Sequence, residues 1–284
     1  MSFDIEPNNR FFQANRSLIE NEIRPAHTVT FVGEVDMTQI EAVRASMGDH
    51  RPSYTAFIVK ALARTLKEFP YANRRVIRRW WLPFVGPRIQ RFKDIDVAVA
   101  VERDVPGAEG VAFVDILRQA DQRSLMEIQA VLKELATCDE SNNKQWRSFS
   151  SVIRTAPTWL AGWLLRMPVW SARMWHKYRG GAALISSPAK YGVDKVMATW
   201  AWPLGLSFGL VKERPMAIDG ELTVRPTCFI TMNFDRRIMA GAQGARVFNF
   251  LLQQLHDART TLAEPAASHD KAMGPTEALE RSVA

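Results

Sequence analysis

The hydrophobic pattern switches several times between a two-residue and a helical period, and those switches define most of the expected elements. From Thr28 to Asp36, Val29, Phe31, Gly33 and Val35 occupy alternate positions, which predicts a strand with one buried face. Ser53 then precedes a stretch in which Ile58, Leu62, Leu66 and Phe69 recur at helical spacing, and Pro70 stops it. Alternation returns at Ile95, Val97, Val99 and Val101, and 111–117 predicts a further strand. Ser124 and Glu127 have capping-box spacing and open a helix that carries Leu125, Ile128, Leu132 and Leu135 on one face. Strands are expected near 183–186 and 206–211, with a long one over 225–234. A last helix, about 242–257, turns Phe248, Leu251, Leu252 and Leu255 inward. Beyond Leu262 the periodicity stops, which predicts one domain over 1–262 and a disordered tail over 263–284. Strands interspersed with a few long helices, without a βαβ repeat, predict an α/β (α+β) fold with a mixed sheet flanked by helices.

Composition narrows this only slightly. With 47% hydrophobic and 24% charged residues in 284, the chain can bury a full core, and wholesale disorder is excluded. A formal charge of +7 allows nucleic acid, acidic lipid or a phosphorylated cofactor as partner; a plain surplus of surface Lys and Arg is the simpler alternative. Cys138 and Cys228 stand far apart without CxxC spacing, which argues against a zinc site and a disulfide scaffold. Residues 1–15 are polar and lack the apolar core of a signal peptide, so a cytoplasmic location is expected.

The chemistry concentrates at Phe234-Asp235-Arg236-Arg237-Ile238-Met239-Ala240-Gly241, between the long strand and the last helix. It resembles the Asp-His-Arg-x-x-Asp-Gly motif of the acyltransferase component of 2-oxo-acid dehydrogenase complexes, relatives of chloramphenicol acetyltransferase. Other stretches resemble the same family in the same order. These are Pro25-Ala26-His27 with 28–36, 55–73, 92–101, Ala120-Asp121-Gln122-Arg123-Ser124-Leu125, 181–194, and 212–226. The resemblance implies a chloramphenicol acetyltransferase-like fold assembled as a homotrimer, with sites at subunit interfaces and with larger cages of trimers as a further assembly. It also implies coenzyme A or acyl-CoA as substrate, entering opposite a lipoyl arm, and no metal. No lipoyl domain or peripheral subunit-binding domain is recognisable in these residues, so the chain is expected to carry no lipoyl group of its own and not to serve as an ordinary dehydrogenase-complex component.

The motif departs from the family where chemistry is done. The family's general base is a histidine, where this chain has Arg236, and its aspartate is replaced by Ala240. A guanidinium stays protonated and offers no lone pair, so Arg236 is no base. It either pairs with a phosphate or carboxylate, or is a drifted residue in an abandoned site. Ser186 falls on the family serine that donates to the tetrahedral oxyanion, and Ser187 replaces the usual Asn beside it. Asp235 and Arg237 keep the family's identities in a structural role, and Gly241 is expected to serve a tight strand-to-helix turn. His27, His50, His176, His256 and His269 are the remaining candidates for a base. His27 matches a family position that is not the base; His176 stands out because it lies in an insertion.

That insertion, 146–180, replaces a short polar loop of the family. Trp159, Trp163, Trp170 and Trp175 are interleaved with Arg154, Arg166, Arg173, Lys177 and Arg179, and Pro168 is expected to divide it into two helical pieces. Arg166 and Pro168 interrupt it too early for a membrane span. Three readings stand open: a lid over an acyl channel, with Trp163 and His176 against substrate; a peripheral membrane contact through 154–179; or packing on its own or a neighbouring subunit. Arg74, Arg75, Arg78, Arg79, Trp80 and Trp81 form a second cluster, expected on a loop; no nucleic-acid fold motif accompanies it. Two functions follow. The chain is an acyltransferase-type protein that binds an acyl-CoA or carrier thioester, or an inactive paralogue that acts as scaffold or partner of an active acyltransferase subunit.

Overall fold

The alternating stretch at the start of the chain forms β1 (Thr28–Asp36), which leads into α1 (Thr38–Ser46) and then α2 (Tyr54–Glu68). The computed structural model of the protein describes Arg10 and residues 27–77, 87–105 and 108–263. A small hairpin, β2 (Arg74–Ile77) and β3 (Arg88–Arg91), precedes β4 (Val97–Val105) and β5 (Ala108–Leu117). Four helices follow: α3 (Leu125–Thr137), α4 (Lys144–Thr155), α5 (Thr158–Trp170) and α6 (Ala172–Arg179). The chain then returns through β6 (Ala183–Ser186), β7 (Leu204–Phe208), β8 (Lys212–Ile218) and β9 (Glu221–Asp235). It continues through α7 (Gly241–His256) and α8 (Ala258–Thr261).

The main sheet runs β1-β9-β7-β6-β4-β5, with β8 paired to β9. β6 lies parallel to both β4 and β7, and the other pairings are antiparallel, so the expected mixed sheet flanked by helices is present. Pleating sends successive side chains to opposite faces. Val97, Val99 and Ile185 join the principal core with Phe57, Ile58 and Leu62 of α2 and Val247 and Leu251 of α7. Ala98 and Leu184 point the other way, into a smaller cluster with Trp175 of α6 and Trp202. The sheet is therefore covered on both faces, and the inserted helices supply part of the second cover.

The local signals behave as their chemistry demands. Ser53 caps α2 through Ala56 N–H (3.3 Å). Ser124 and Glu127 make both halves of the capping box on α3, at 3.0 and 2.7 Å. Several expectations need correction. β7 ends at Phe208 rather than at 211, and β9 starts at Glu221, because 212–226 closes a β8–β9 hairpin whose exposed half has little hydrophobic alternation. Arg74 and Arg75 lie on strand β2, not on a loop; Arg78, Arg79, Trp80 and Trp81 fall outside the described residues. Pro168 does not divide the insertion. It sits inside α5 two residues from its end, where the lost backbone bond affects only the last turn. The breaks come at Ala156–Pro157 and at Ser171, whose hydroxyl caps α6 through Met174 N–H (3.3 Å). Beyond Ala263 the expected tail also lies outside the described residues.

One buried ion pair ties the helices after β5 to the sheet. Arg103 of β4 (4% exposed) bonds the Asp115 carboxylate of β5 (3% exposed). Asn143, the cap of α4, donates to the same carboxylate at 3.0 Å, while Arg103 reaches the carbonyls of Leu135 and Cys138 at 3.1 and 3.2 Å. Removing one member leaves the other charge buried and unpaired. Asp115→Ala is expected to cost about 3–5 kcal/mol in urea denaturation; a loss under about 1 kcal/mol would show that the guanidinium reaches water once its partner is gone.

Candidate functional site

β9 carries the motif to the edge of the core and its backbone is then fixed from three sides. Asp235 N–H donates to Pro203 O (2.8 Å), Arg236 N–H to His27 O (2.7 Å), and the Arg74 guanidinium to Ile238 O (Nε, 2.8 Å). The Asp235 carboxylate accepts from Arg237 N–H (2.9 Å) and from the Arg237 side chain through Nε (2.9 Å) and Nη2 (2.6 Å). That pairing raises the Arg237 pKa above its ordinary value, against the opposing effect of partial burial. Arg237 is thus an already-partnered cation. Arg236 points to solvent, and its guanidinium has no hydrogen-bond partner among the described residues.

Ala240 stands at the N-cap of α7 without a side-chain acceptor. Gln243 reaches back to its N–H at 2.9 Å, so half of a capping box survives. Gly241 opens the helix at negative φ, and a Cβ built there meets nothing within 4 Å. The turn within this chain therefore does not demand glycine, contrary to the conformational role expected for it.

A cavity of about 580 Å³ opens beside this turn. One wall is His27 and Thr28 at the start of β1 with Asn233, Phe234, Asp235 and Arg237. The opposite wall is Trp163, Arg166, Val169 and Trp170 of α5, and Trp200 and Trp202 complete it with Trp175 and Arg75. Arg75 is buried because its charge is fully engaged. Its guanidinium lies 4.2 Å from the Trp175 ring centre and bonds Gln90 Oε1 (2.8 Å) and Val169 O (3.1 Å). Arg166 sits over the Trp170 ring at 5.5 Å, and the Trp163 and Trp170 rings are 6.0 Å apart. The space is aromatic with a cationic rim, suited to an apolar group that carries negative charge.

The expected site residues do not all meet. Trp163, Asp235 and Arg237 line the cavity; Arg236, Ala240 and Gly241 belong to the adjoining turn but do not line it. Ser186 is half-buried at the end of β6, in register with Ser207, which faces Thr231 of β9. Thr231 is four residues before Asp235, or about 13 Å along the strand, so this chain alone keeps Ser186 away from the motif turn. Ser187 donates to Phe208 O (2.8 Å) and accepts from Ala189 N–H (3.2 Å), a local turn. His176 lies outside the cavity lining, with Nδ1 3.8 Å from Asp96, whose carboxylate also holds Arg118 (2.5 Å). His27 is the cavity's histidine among the described residues.

Trp200 and Trp202 escaped sequence reasoning, and the one available signal was the Trp200-Ala201-Trp202-Pro203 run ahead of β7; Arg75 was singled out only as part of a basic, aromatic cluster and not as a cavity residue. Cys228 is no nucleophile. Burial pushes its thiol up to about 11, and its S–H donates to Gly209 O at 3.2 Å. Among the described residues no group of three potential metal ligands occurs.

Two substitutions separate helix capping from chemistry in thermal denaturation. Ala240→Asp supplies the missing cap acceptor and is expected to stabilise by about 1 kcal/mol. Gly241→Ala is expected to stabilise by about 0.4–1 kcal/mol through the unfolded chain; a drop would mean that an assembled neighbour fills the space beside it.

A family model, 2-oxoacid dehydrogenases acyltransferase (catalytic domain), matches residues 12–150 and 174–263 and leaves 151–173 unmatched. The dihydrolipoyllysine-residue succinyltransferase component of the 2-oxoglutarate dehydrogenase complex of Buchnera aphidicola is 25% identical over 234 residues, 80% of this chain and 49% of that protein. The chain spans about half the length of the curated relatives it matches. Azotobacter vinelandii dihydrolipoamide acetyltransferase superposes with a TM-score of 0.65 at 20% identity, covering 92% of this chain and 95% of that one. That structure served to study a serine, a histidine and an asparagine in its own mechanism. The cubic core of the pyruvate dehydrogenase multienzyme complex superposes at 0.62 with 21% identity, over 92% and 95% of the two chains.

Proposed function

The chain belongs to the family of 2-oxoacid dehydrogenases acyltransferase catalytic domains, and we propose that it binds an acyl thioester, acyl-CoA or carrier-borne, without the family's histidine base. The observation that carries this reading is a cavity beside the motif turn, at whose base position stands an exposed guanidinium. Losing a general base costs about 100- to 10,000-fold in rate. Transfer by the standard route is therefore slow at best, unless the acceptor arrives as a thiolate. Ser186 acts as oxyanion donor from a neighbouring subunit, because about 13 Å of strand separates its level from Asp235; this supports a homotrimer, with a cage of trimers as a larger form. The working compartment in this reading is the cytoplasm. A second reading, an inactive scaffold or partner of an active acyltransferase, is favoured by the joint absence of acceptor groups at Arg236 and Ala240.

Titration calorimetry with acetyl-CoA and longer acyl-CoAs, followed by a thiol-release assay, tests this. Saturable binding with slow release is expected, with release lowered further by Ser186→Ala. No binding would leave the scaffold reading. Arg236→His/Ala240→Asp is expected to raise thiol release; if Arg236 instead holds a ligand anion, the same variant loses about 1.5–3 kcal/mol of affinity. Ordinary wild-type turnover would overturn the lost-base reading and direct attention to His27→Ala, since His27 lines the cavity and His176 does not.

A further inference from the structure

The chain's charge excess has an address. Lys144–Arg179, the stretch that forms α4, α5 and α6, contains seven Lys and Arg and no Asp or Glu. The whole chain has 37 Lys+Arg against 30 Asp+Glu; removing these seven leaves 30 of each sign. Lys144, Arg147, Arg154, Arg173 and Lys177 are exposed, and Arg154 pairs with Glu140 at 2.8 Å. Among the described residues Arg166, Arg173 and Lys177 have no carboxylate partner.

The same stretch exposes aromatic surface. In α5 the one charged residue is Arg166, and Trp159 and Trp163, one helical turn apart, are 76% and 45% exposed. Indole is the side chain most at home where an apolar layer meets a polar one. Among the described residues no helix is long and apolar enough to cross a membrane; α5 turns two indoles outward, which suits a shallow contact with a headgroup layer.

We infer that the α4–α6 insertion docks this protein on an anionic lipid bilayer surface, with Trp159 entering the headgroup layer and Arg173 and Lys177 meeting lipid phosphates. An anionic bilayer offers negative charge and apolar depth together. A single-stranded polynucleotide offers stacking and phosphate but no apolar layer for the exposed indole of Trp159. A second copy of this chain offers no net negative surface, since its charges outside the insertion balance. The inference does not depend on the thioester reading, because its surface is read without any acyl ligand.

Co-sedimentation of the full chain with vesicles is the test, using phosphatidylcholine alone and phosphatidylcholine mixed with phosphatidylglycerol. Binding to the mixed vesicles only, weakening as salt rises, is expected. Arg173→Gln/Lys177→Gln should reduce partitioning by about five-fold per charge. Trp159→Ala, at a site exposed enough to leave folding intact, should reduce it by roughly ten-fold and remove part of the tryptophan quenching by brominated lipid. Equal binding to both vesicles, no binding to either, or binding untouched by these variants would overturn the inference. So would retention by a single-stranded oligonucleotide in place of the mixed vesicles. Circular dichroism of each variant separates a lost contact from a lost fold.

Discussion

The register of β9 is the constraint on which the rest of the molecule depends. β1 runs along one side of it, from Thr28 opposite Asp235 to Asp36 opposite Thr227, while β7 and β8 share the other side. Its inward residues, Ile230, Met232 and Phe234, are essentially buried, so a slip by one residue would exchange them for polar Thr231 and Asn233. The same register delivers Asp235 to Pro203 and Arg236 to the carbonyl of His27. The core and the motif turn are consequently one specification. A change that loosens β9 would disturb the cavity wall before it disturbed any single site residue.

The second organising theme is how arginine is housed. Arg103 is neutralised by a carboxylate and stacked 4.4 Å from the Trp146 ring centre, and Arg75 relies on carbonyls and the Trp175 ring. A planar, weakly hydrated guanidinium tolerates such places better than an ammonium would. These arginines hold the inserted helices against the sheet, through Asp115 and Asn143 at one end and through Val169 and Ser171 at the other. Arg236 has no comparable partners. Its contrast with Arg75 and Arg237, both satisfied within the chain, is what makes it the position where an external anion would matter.

Much of this was legible in the amino-acid order, and the exceptions have physical causes. β1 and the first half of β4 show alternation, β5 and β6 are short apolar runs, and the caps of α2 and α3 are written in Ser53 and in Ser124 with Glu127. α1 was missed because it is weakly amphipathic, buries Ile40 and Val43, and lacks a side-chain cap. β2 was hidden by its arginines: Arg75 is buried against the ring of Trp175, far along the chain, and Arg74 bonds the carbonyl of Ile238. Pro168 misled because a proline near a helix end costs much less than one in the middle, and Ser171 set the actual boundary. The motif residues could be found by resemblance. Their separation from Ser186 could not, since it follows from strand pairing rather than from spacing along the chain.

That separation bears on what one subunit can do. Ser186 and the motif turn sit at different levels of the same sheet, with β7 between their strands. Rigid strands fix that distance, and no rearrangement of side chains spans about 13 Å. A reaction that needs an oxyanion donor and an accepting group around one carbonyl carbon has to draw them from different copies. Arg236 and Ala240 lie in the turn after β9 and outside the strand pairing, so their side chains do not set this geometry. The sheet and the cavity wall are therefore set independently of which side chains stand at Arg236 and Ala240.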